Sequence, residues 1–138
     1  MATILAHIQI KEGRERDFEA VARGLHEATL QRESAVRHYE YWRGATPSLY
    51  YCLLAFEDFN AFIEHQTSDH HETASPKLAD LIAEMKLEWV DPVAGASRLP
   101  PTNMQPLPDG SNELSQRYHR IFAATIQDWW LAIRDGRS

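Results

Sequence analysis

The feature of this sequence that most constrains its fold is the order in which strand-like and helix-like apolar periods follow one another. Residues 3–10, TILAHIQI, alternate in the way that a half-buried strand does. After the turn-forming KEG, apolar residues recur at helical spacing up to about Gln31. Residues 36–43 and 49–56 are rich in β-formers and flank GATPS, which is typical of a hairpin. The first part of the chain is therefore predicted to be β-α-β-β.

A second helical region and a fourth strand are predicted to follow. Residues 58–85 carry a helical apolar stripe, with Asp58 as a candidate cap, and Asp69 and Glu72 have capping-box spacing for a restart. Residues 86–93, KLEWVDPV, are predicted to form the last strand. The complete order β-α-β-β-α-β is the ferredoxin-like split βαβ pattern of the α+β class, in which helices cover one face of an antiparallel sheet.

The composition changes after Val93, which divides the chain into residues 1–93 and an extension over 94–138. Residues 94–111 contain four of the seven prolines and are predicted to form an extended arm. Residues 112–134 then show an aromatic helical stripe, so we expect an amphipathic helix that packs on this domain or on a partner subunit. Because the proline-rich arm can extend far, we expect the helix to pack on the partner subunit.

Charge and composition exclude several classes of partner. The net charge of −6 argues against nucleic acid, and no apolar stretch is long enough to span a membrane. The first residues show no secretion signal, and Cys52 is the only cysteine, which favours a reducing compartment. A cytoplasmic location is the expectation.

Three segments carry a resemblance to a known family. They are the opening ILAHIQIKEGRERDFEAVA, the strand VRHYEYWR, and FEDFNAFIEHQTSDHHETASPKLADLIAEM, which ends in LEWVDPV. Over about residues 3–93 the chain resembles an antibiotic biosynthesis monooxygenase domain of the dimeric α/β-barrel superfamily. The resemblance implies a homodimer, a ligand cavity between each sheet and its helices, and oxidation of quinols or anthrones by O2 without a cofactor. The family's helix-end histidine corresponds to His65, and that of its S-x-H turn to His70.

The sequence departs from the family at four pocket positions. Leu54 and Phe56 stand where a Glu and a Trp are common on the third strand, and Cys52 and Phe62 replace the Asn and Tyr of the polyketide-oxidising branch. Because Cys52, Leu54 and Phe56 share a strand face, that face becomes uniformly apolar. An apolar cavity with few polar points still suits an aromatic ligand.

The histidines are the candidate chemical groups. If Asp69 caps a helix, His70 and His71 lie in its first turn, where the helix dipole favours a neutral imidazole. His70 is therefore the expected base and His65 an orienting or second proton-handling group. No metal is expected, because His65 and His70 are five residues apart and diverge around one helix axis. The expected substrate-binding residues are His7, Trp42, Cys52, Leu54, Phe56, Phe62 and Trp89.

The leading hypothesis from the sequence is a cofactor-independent monooxygenase acting on a quinol, anthrone or related aromatic. A non-oxidative polyketide cyclase or isomerase could use the same scaffold and the same base. A non-catalytic dimer that binds an aromatic ligand is the third reading, since the replacements at Leu54 and Phe56 are compatible with a lost oxidation site.

Overall fold

A four-stranded antiparallel sheet with helices on one face forms the core of the computed structural model, which describes residues 1–134. The strands lie in the order β2-β3-β1-β4. Their bounds are β1 Ala2–Ile10, β2 Val36–Arg43, β3 Leu49–Phe56 and β4 Ile82–Trp89, and those of the helices are α1 Glu15–Arg32, α2 Phe59–Thr67, α3 Asp69–Leu81, α4 Glu113–Ile121 and α5 Asp128–Arg134. The predicted α+β ferredoxin-like fold is confirmed. Among the described residues, no helix has both the length and the apolar character needed to cross a membrane.

The alternation in β1 decides which face of the sheet the helices cover. Ile4, Ala6 and Ile8 are buried, whereas His7 between them is only partly buried. Ala6 pairs with Cys52 and Ile4 pairs with Leu54 in the antiparallel register. Because directly paired residues point to the same face of a sheet, these β1 and β3 side chains together form the surface under the helices.

The predicted boundary between the second helical region and the last strand is wrong by several residues. The helix α3 ends at Leu81, and β4 occupies residues 82–89 rather than 86–93. The spacing of Ile82 and Met85 fits the apolar stripe of a helix. Met85 also lies between the charged Glu84 and Lys86, and this alternation of apolar and charged residues fits a strand. Pairing with β1, in which Met85 lies opposite Ile8, selects the strand.

The two helices that cross the sheet meet at a single shared residue. Asp58 caps α2, as predicted, and its Oδ1 accepts a hydrogen bond from the Ala61 amide at 2.8 Å. The cap of α3 is Ser68 rather than the predicted Asp69, and its hydroxyl oxygen accepts a bond from the His71 amide at 3.2 Å. Ser68 is also the C-cap of α2, so it fixes the turn between the two helices.

The predicted single helix over residues 112–134 is interrupted. The helix α4 ends at Ile121 and α5 begins at Asp128. Within the gap, the Ala124 amide donates to Met104 Sδ at 3.3 Å instead of continuing the helical ladder. A contact with the arm therefore replaces a helical hydrogen bond. The predicted end of this unit, residues 135–138, lies outside the described residues.

The extension packs against the domain of the same chain. Thr102 is fully buried, and its hydroxyl donates to the Val90 carbonyl at 2.6 Å and accepts from the Thr3 amide at 3.2 Å. Arg134 donates to both carboxylate oxygens of Asp91, at 2.6 and 3.0 Å. These bonds attach the arm and α5 to the ends of β1 and β4.

Replacing Thr102 with valine should destabilise the protein by about 1–3 kcal/mol, because it leaves the Val90 carbonyl and the amide of the buried Thr3 without their partner. Urea unfolding gives the free energy of unfolding. Thr125→Val is the matched control, since Thr125 is exposed. Equal stability of the two variants would contradict the assigned role of Thr102.

Candidate active site

A cavity of about 320 Å³ lies between the sheet and the helices. Its walls come from β1, β2 and β3 below, from α1, α2 and α3 above, and from the edge strand β4 at one side. Most of the lining is apolar, and the polar groups lie in a few places, which is the usual form of a small-molecule site. The lining residues are Ile4, Ala6, Ile8, Phe18, Leu25, Tyr39, Tyr41, Cys52, Leu54, Phe62, His65, Gln66, His71, Ser75, Leu78, Ala79, Ile82, Met85, Leu87 and Phe122.

Four of the residues expected at the site line this cavity. They are Cys52, Leu54, Phe62 and His65. Cys52 and Leu54 project from the helix-covered face of β3, as their pairing with β1 requires. Phe62 and His65 are three residues apart in α2, so they lie one turn apart on the same helix face.

Phe56 and Trp89 belong to the packing around the cavity rather than to its lining. Both rings contact Phe62, with centroid distances of 5.7 Å for Phe56 and 5.0 Å for Trp89. Phe56 is also 5.2 Å from the His65 ring. They therefore support the residues that face the cavity.

His7 and Trp42 are placed elsewhere. His7 lies on the uncovered face of the sheet, where its Nε2 is 3.1 Å from a Glu88 carboxylate oxygen. Trp42 is 60% exposed and borders a separate surface groove between α1 and the β2 edge, next to charged Glu19 and Arg43. Their side chains do not reach the lining, because neighbouring strand residues alternate between the two faces.

His65 is held by a carboxylate that no sequence pattern indicated. It is 1% exposed, and its Nδ1 is 2.9 Å from Glu33 Oε2. Glu33 is the C-cap residue of α1, 32 residues away in sequence. Burial alone raises the pKa of the Glu33 carboxyl, but the hydrogen bonds and charges of His65 and His70 outweigh it and lower this pKa below its usual range. The ionised carboxylate accepts a hydrogen bond from the Nδ1–H of His65 and so fixes the orientation of the ring, with Nε2 as its second nitrogen.

His70 is oriented toward Glu33 and not toward the cavity. Its Nε2 is 2.5 Å from the same Glu33 Oε2 that His65 contacts, and it borders a groove between α1 and α3. The cavity is lined instead by the next residue, His71. Because successive helix residues point about 100° apart, a shift of one position moves a side chain from one surface to another. In this structure His71 lines the cavity and His70 contacts Glu33, so the role expected of His70 stays a prediction.

His71 is a neutral group beside His65. The two ring centroids are 5.0 Å apart. Burial, and then the charge of His65, lower the pKa of His71 to about 4. Its Nδ1 is buried and has no hydrogen-bond partner among residues 1–134.

A second polar cluster lies on the sheet side of the cavity. The hydroxyl oxygens of Tyr39 and Tyr41 are 2.9 Å apart, and both residues line the cavity with Cys52. Burial raises the pKa of both tyrosine hydroxyls and of the Cys52 thiol above their ordinary values. All three groups therefore stay protonated near neutral pH and can act as hydrogen-bond donors. Their position could not be inferred from sequence, because it depends on which face of β2 meets the helices.

Glu33, His65 and His70 also have the composition of a two-histidine, one-carboxylate cation site. Their potential ligand atoms lie within 4.8 Å of one another. The same atoms are already satisfied as a hydrogen-bonded network when His65 Nδ1 and His70 Nε2 carry the protons. The expectation that no metal is needed stays a prediction.

The chain is similar to several solved structures. The Pseudomonas aeruginosa protein PA3566 is 21% identical, with a TM-score of 0.62 over 67% of this chain and 94% of its own. A conserved protein from Methanosarcina mazei is 22% identical, with a TM-score of 0.61 over 64% of this chain and 89% of its own. An antibiotic biosynthesis monooxygenase is 19% identical, with a TM-score of 0.62 over 67% of this chain and 99% of its own. At these identities, the similarity shows a shared fold.

The family comparison covers more than half of the chain. The antibiotic biosynthesis monooxygenase model matches residues 1–77, which include α1, α2, the start of α3, and the cluster of Glu33, His65 and His70. No curated protein matches this chain. The extension after residue 93 lies outside the family match. The chain belongs to the antibiotic biosynthesis monooxygenase family.

Proposed function

We propose that this protein is a cofactor-independent monooxygenase that oxidises a quinol, anthrone or related phenolic aromatic with O2. Family membership supports a general monooxygenase-like function. The observation that carries the finer proposal is the bond between the partly buried Glu33 and the buried His65, whose ring lines a largely apolar cavity. Such a pair provides a base where water is scarce, as this chemistry needs.

In the proposed reaction, His65 removes the proton that makes the substrate electron-rich. For an anthrone, Nε2 takes a proton from the methylene carbon, and the Glu33 carboxylate stabilises the imidazolium that forms. The carbanion transfers electrons to O2, and a C–O bond forms to give a peroxide anion. His65 returns its proton to the peroxide, which loses water and leaves a carbonyl. One oxygen atom enters the substrate and the other leaves as water, so no external reductant is required.

The other polar groups are proposed to hold the substrate. One hydroxyl of the Tyr39–Tyr41 pair donates to the other, and the hydroxyl that accepts this bond can donate its own proton to the oxyanion of the deprotonated substrate. His70 contacts Glu33, so we assign it to positioning the carboxylate, in place of the base role first expected.

We propose further that the protein works as a homodimer in the cytoplasm. Leu5, His7 and Tyr51, on the face of the sheet opposite the buried Ile4, Ala6 and Ile8, are only partly buried within residues 1–134. The exposed Trp129 and Leu131 of α5 add apolar surface that a partner subunit could bury. The cytoplasmic assignment is supported by Cys52, a free buried thiol.

Oxygen uptake with a panel of quinols and anthrone tests the activity. His65→Gln should lower kcat/KM by about 10²-fold or more, because it removes the proton acceptor. His38→Gln is the control, since His38 pairs with Glu40 and does not line the cavity. If compounds of the panel bind but none of them supports oxygen uptake, the proposed oxygenation is rejected. Substrate conversion without O2 would favour the cyclase or isomerase alternative.

Glu33→Gln tests the carboxylate separately from the fold. The amide oxygen can still accept the His65 proton, but the negative charge that stabilises the imidazolium is lost. We expect kcat to fall about 10–10³-fold with a smaller change in KM. An unchanged kcat would contradict the paired-base mechanism.

The burial of His71 predicts a pH-dependent stability. Its pKa is about 4 in the folded protein and near 6.5 when unfolded, so the unfolded chain binds more protons between these values. Stability should therefore fall as the pH drops from about 6.5 to 4, by up to about 3 kcal/mol from this group. The charges of His65, Glu33 and His70 also act on His71, so the measurement is the difference between wild type and His71→Gln. Parallel stability curves over this range would contradict the burial of a neutral ring.

A further inference from the structure

The extension supplies one wall residue of the candidate active site. Phe122 lies directly after α4 and lines the cavity with residues of the family domain. Its ring centroid is 6.0 Å from that of Phe62, in an edge-on contact. Phe62 is one helical turn from His65, so Phe122 completes the wall beside the part of the cavity that holds the base.

Contacts with both active-site helices hold α4 in place. The Tyr118 hydroxyl donates to a Glu72 carboxylate oxygen at 2.6 Å, and Glu72 follows His71 in α3. The Tyr118 ring also packs edge-on against Phe122, at a centroid distance of 5.6 Å. Asn112 caps the first turn of α4 by accepting a bond from the Ser115 amide at 2.8 Å. Phe122 is therefore part of a fixed wall.

The size of the cavity makes one aromatic side chain important. A volume of about 320 Å³ is at the lower end of the range for small-molecule sites, which is about 300–1,000 Å³. In a small apolar pocket, even one methylene group changes the preference between ligands by about 10–200-fold. Removing or enlarging the whole ring of Phe122 should change the preference between ligands of different size by at least that factor.

We propose that Phe122 is a substrate-size-determining residue, through which the extension sets how many fused rings the cavity accepts. The identity of the substrate as a phenolic aromatic rests on the proposed function. The position of Phe122 beside Phe62 is independent of the proposed function. A ligand whose phenol reaches His65 extends its remaining rings along Phe62 toward Phe122. The preferred ring number is then fixed by this chain's own extension, outside the matched family region.

Anaerobic calorimetry with phenol, 1-naphthol and 9-phenanthrol tests the proposal, because it measures binding without turnover. Phe122→Ala should raise the affinity for 9-phenanthrol relative to phenol by about tenfold or more. Phe122→Trp should change the same ratio in the opposite direction. Because the two Phe122 variants are expected to change the ratio in opposite directions, either one alone still tests the proposal if the other folds poorly. Ile121→Ala is the control, since Ile121 is 58% exposed and does not line the cavity.

The outcomes separate this inference from the proposed function. If the affinity ratio shifts as stated but no compound supports oxygen uptake, the size filter stands and oxygenation fails. If Phe122→Ala and Phe122→Trp leave the ratio within about twofold of wild type, or if Ile121→Ala shifts it equally, the role of Phe122 is overturned. Oxygen uptake by the wild type would be unaffected by that result.

Discussion

The interaction on which the rest of this structure depends is the bond between the Glu33 carboxylate and the His65 ring. A carboxylate taken out of water is unfavourable unless hydrogen bonds replace its hydration. Here the rings of His65 and His70 provide those bonds to one oxygen atom. The end of α1, the end of α2 and the start of α3 must therefore meet at one point, and Ser68 makes the turn between α2 and α3 short enough for this. The same bond orients the imidazole that lines the cavity.

The apolar walls and the buried base act together. The apolar surroundings of His71 disfavour added charge, so His71 stays neutral, and the charge of the partly buried Glu33 is screened little by water. Cys52, Leu54 and Phe62 make part of the cavity wall apolar. The tyrosine pair of β2 supplies hydrogen-bonding groups on the sheet side of the cavity. The proposed reaction requires one base, His65, and a few protonated groups that can donate hydrogen bonds to the substrate.

Much of the fold could be predicted from sequence because its periods are strong and local. The strands β2 and β3 have the predicted bounds, and Asp58 caps α2 as expected. The start of β4 was missed because Ile82 and Met85 fit both a helical and a strand period, and only pairing with β1 decides between them. The last helix was predicted as continuous because the contact of Ala124 with Met104 joins distant segments. Local patterns carry no information about such contacts.

The candidate site was predicted less completely, for geometric reasons. His65 was identified and lines the cavity, whereas the α3 histidine that lines it is His71 and not His70. Successive residues of a helix point about 100° apart, so the sequence alone could not show which of the two adjacent histidines meets the cavity. Glu33 is 32 residues from His65, and no spacing rule links them. The role of Phe122 likewise depends on how the extension packs.

The most direct test of this account is a ¹⁵N–¹H NMR measurement of the His65 ring at neutral pH, with and without 1-naphthol. The account predicts that Nδ1 carries a proton in a strong hydrogen bond, that Nε2 is bare, and that Glu33→Ala abolishes the downfield Nδ1 proton signal. Addition of 1-naphthol should shift the Nε2 resonance of the wild type. A proton on Nε2 in the free protein, or a ring signal that neither Glu33→Ala nor the ligand changes, would contradict the central claim that a carboxylate-held imidazole faces the cavity.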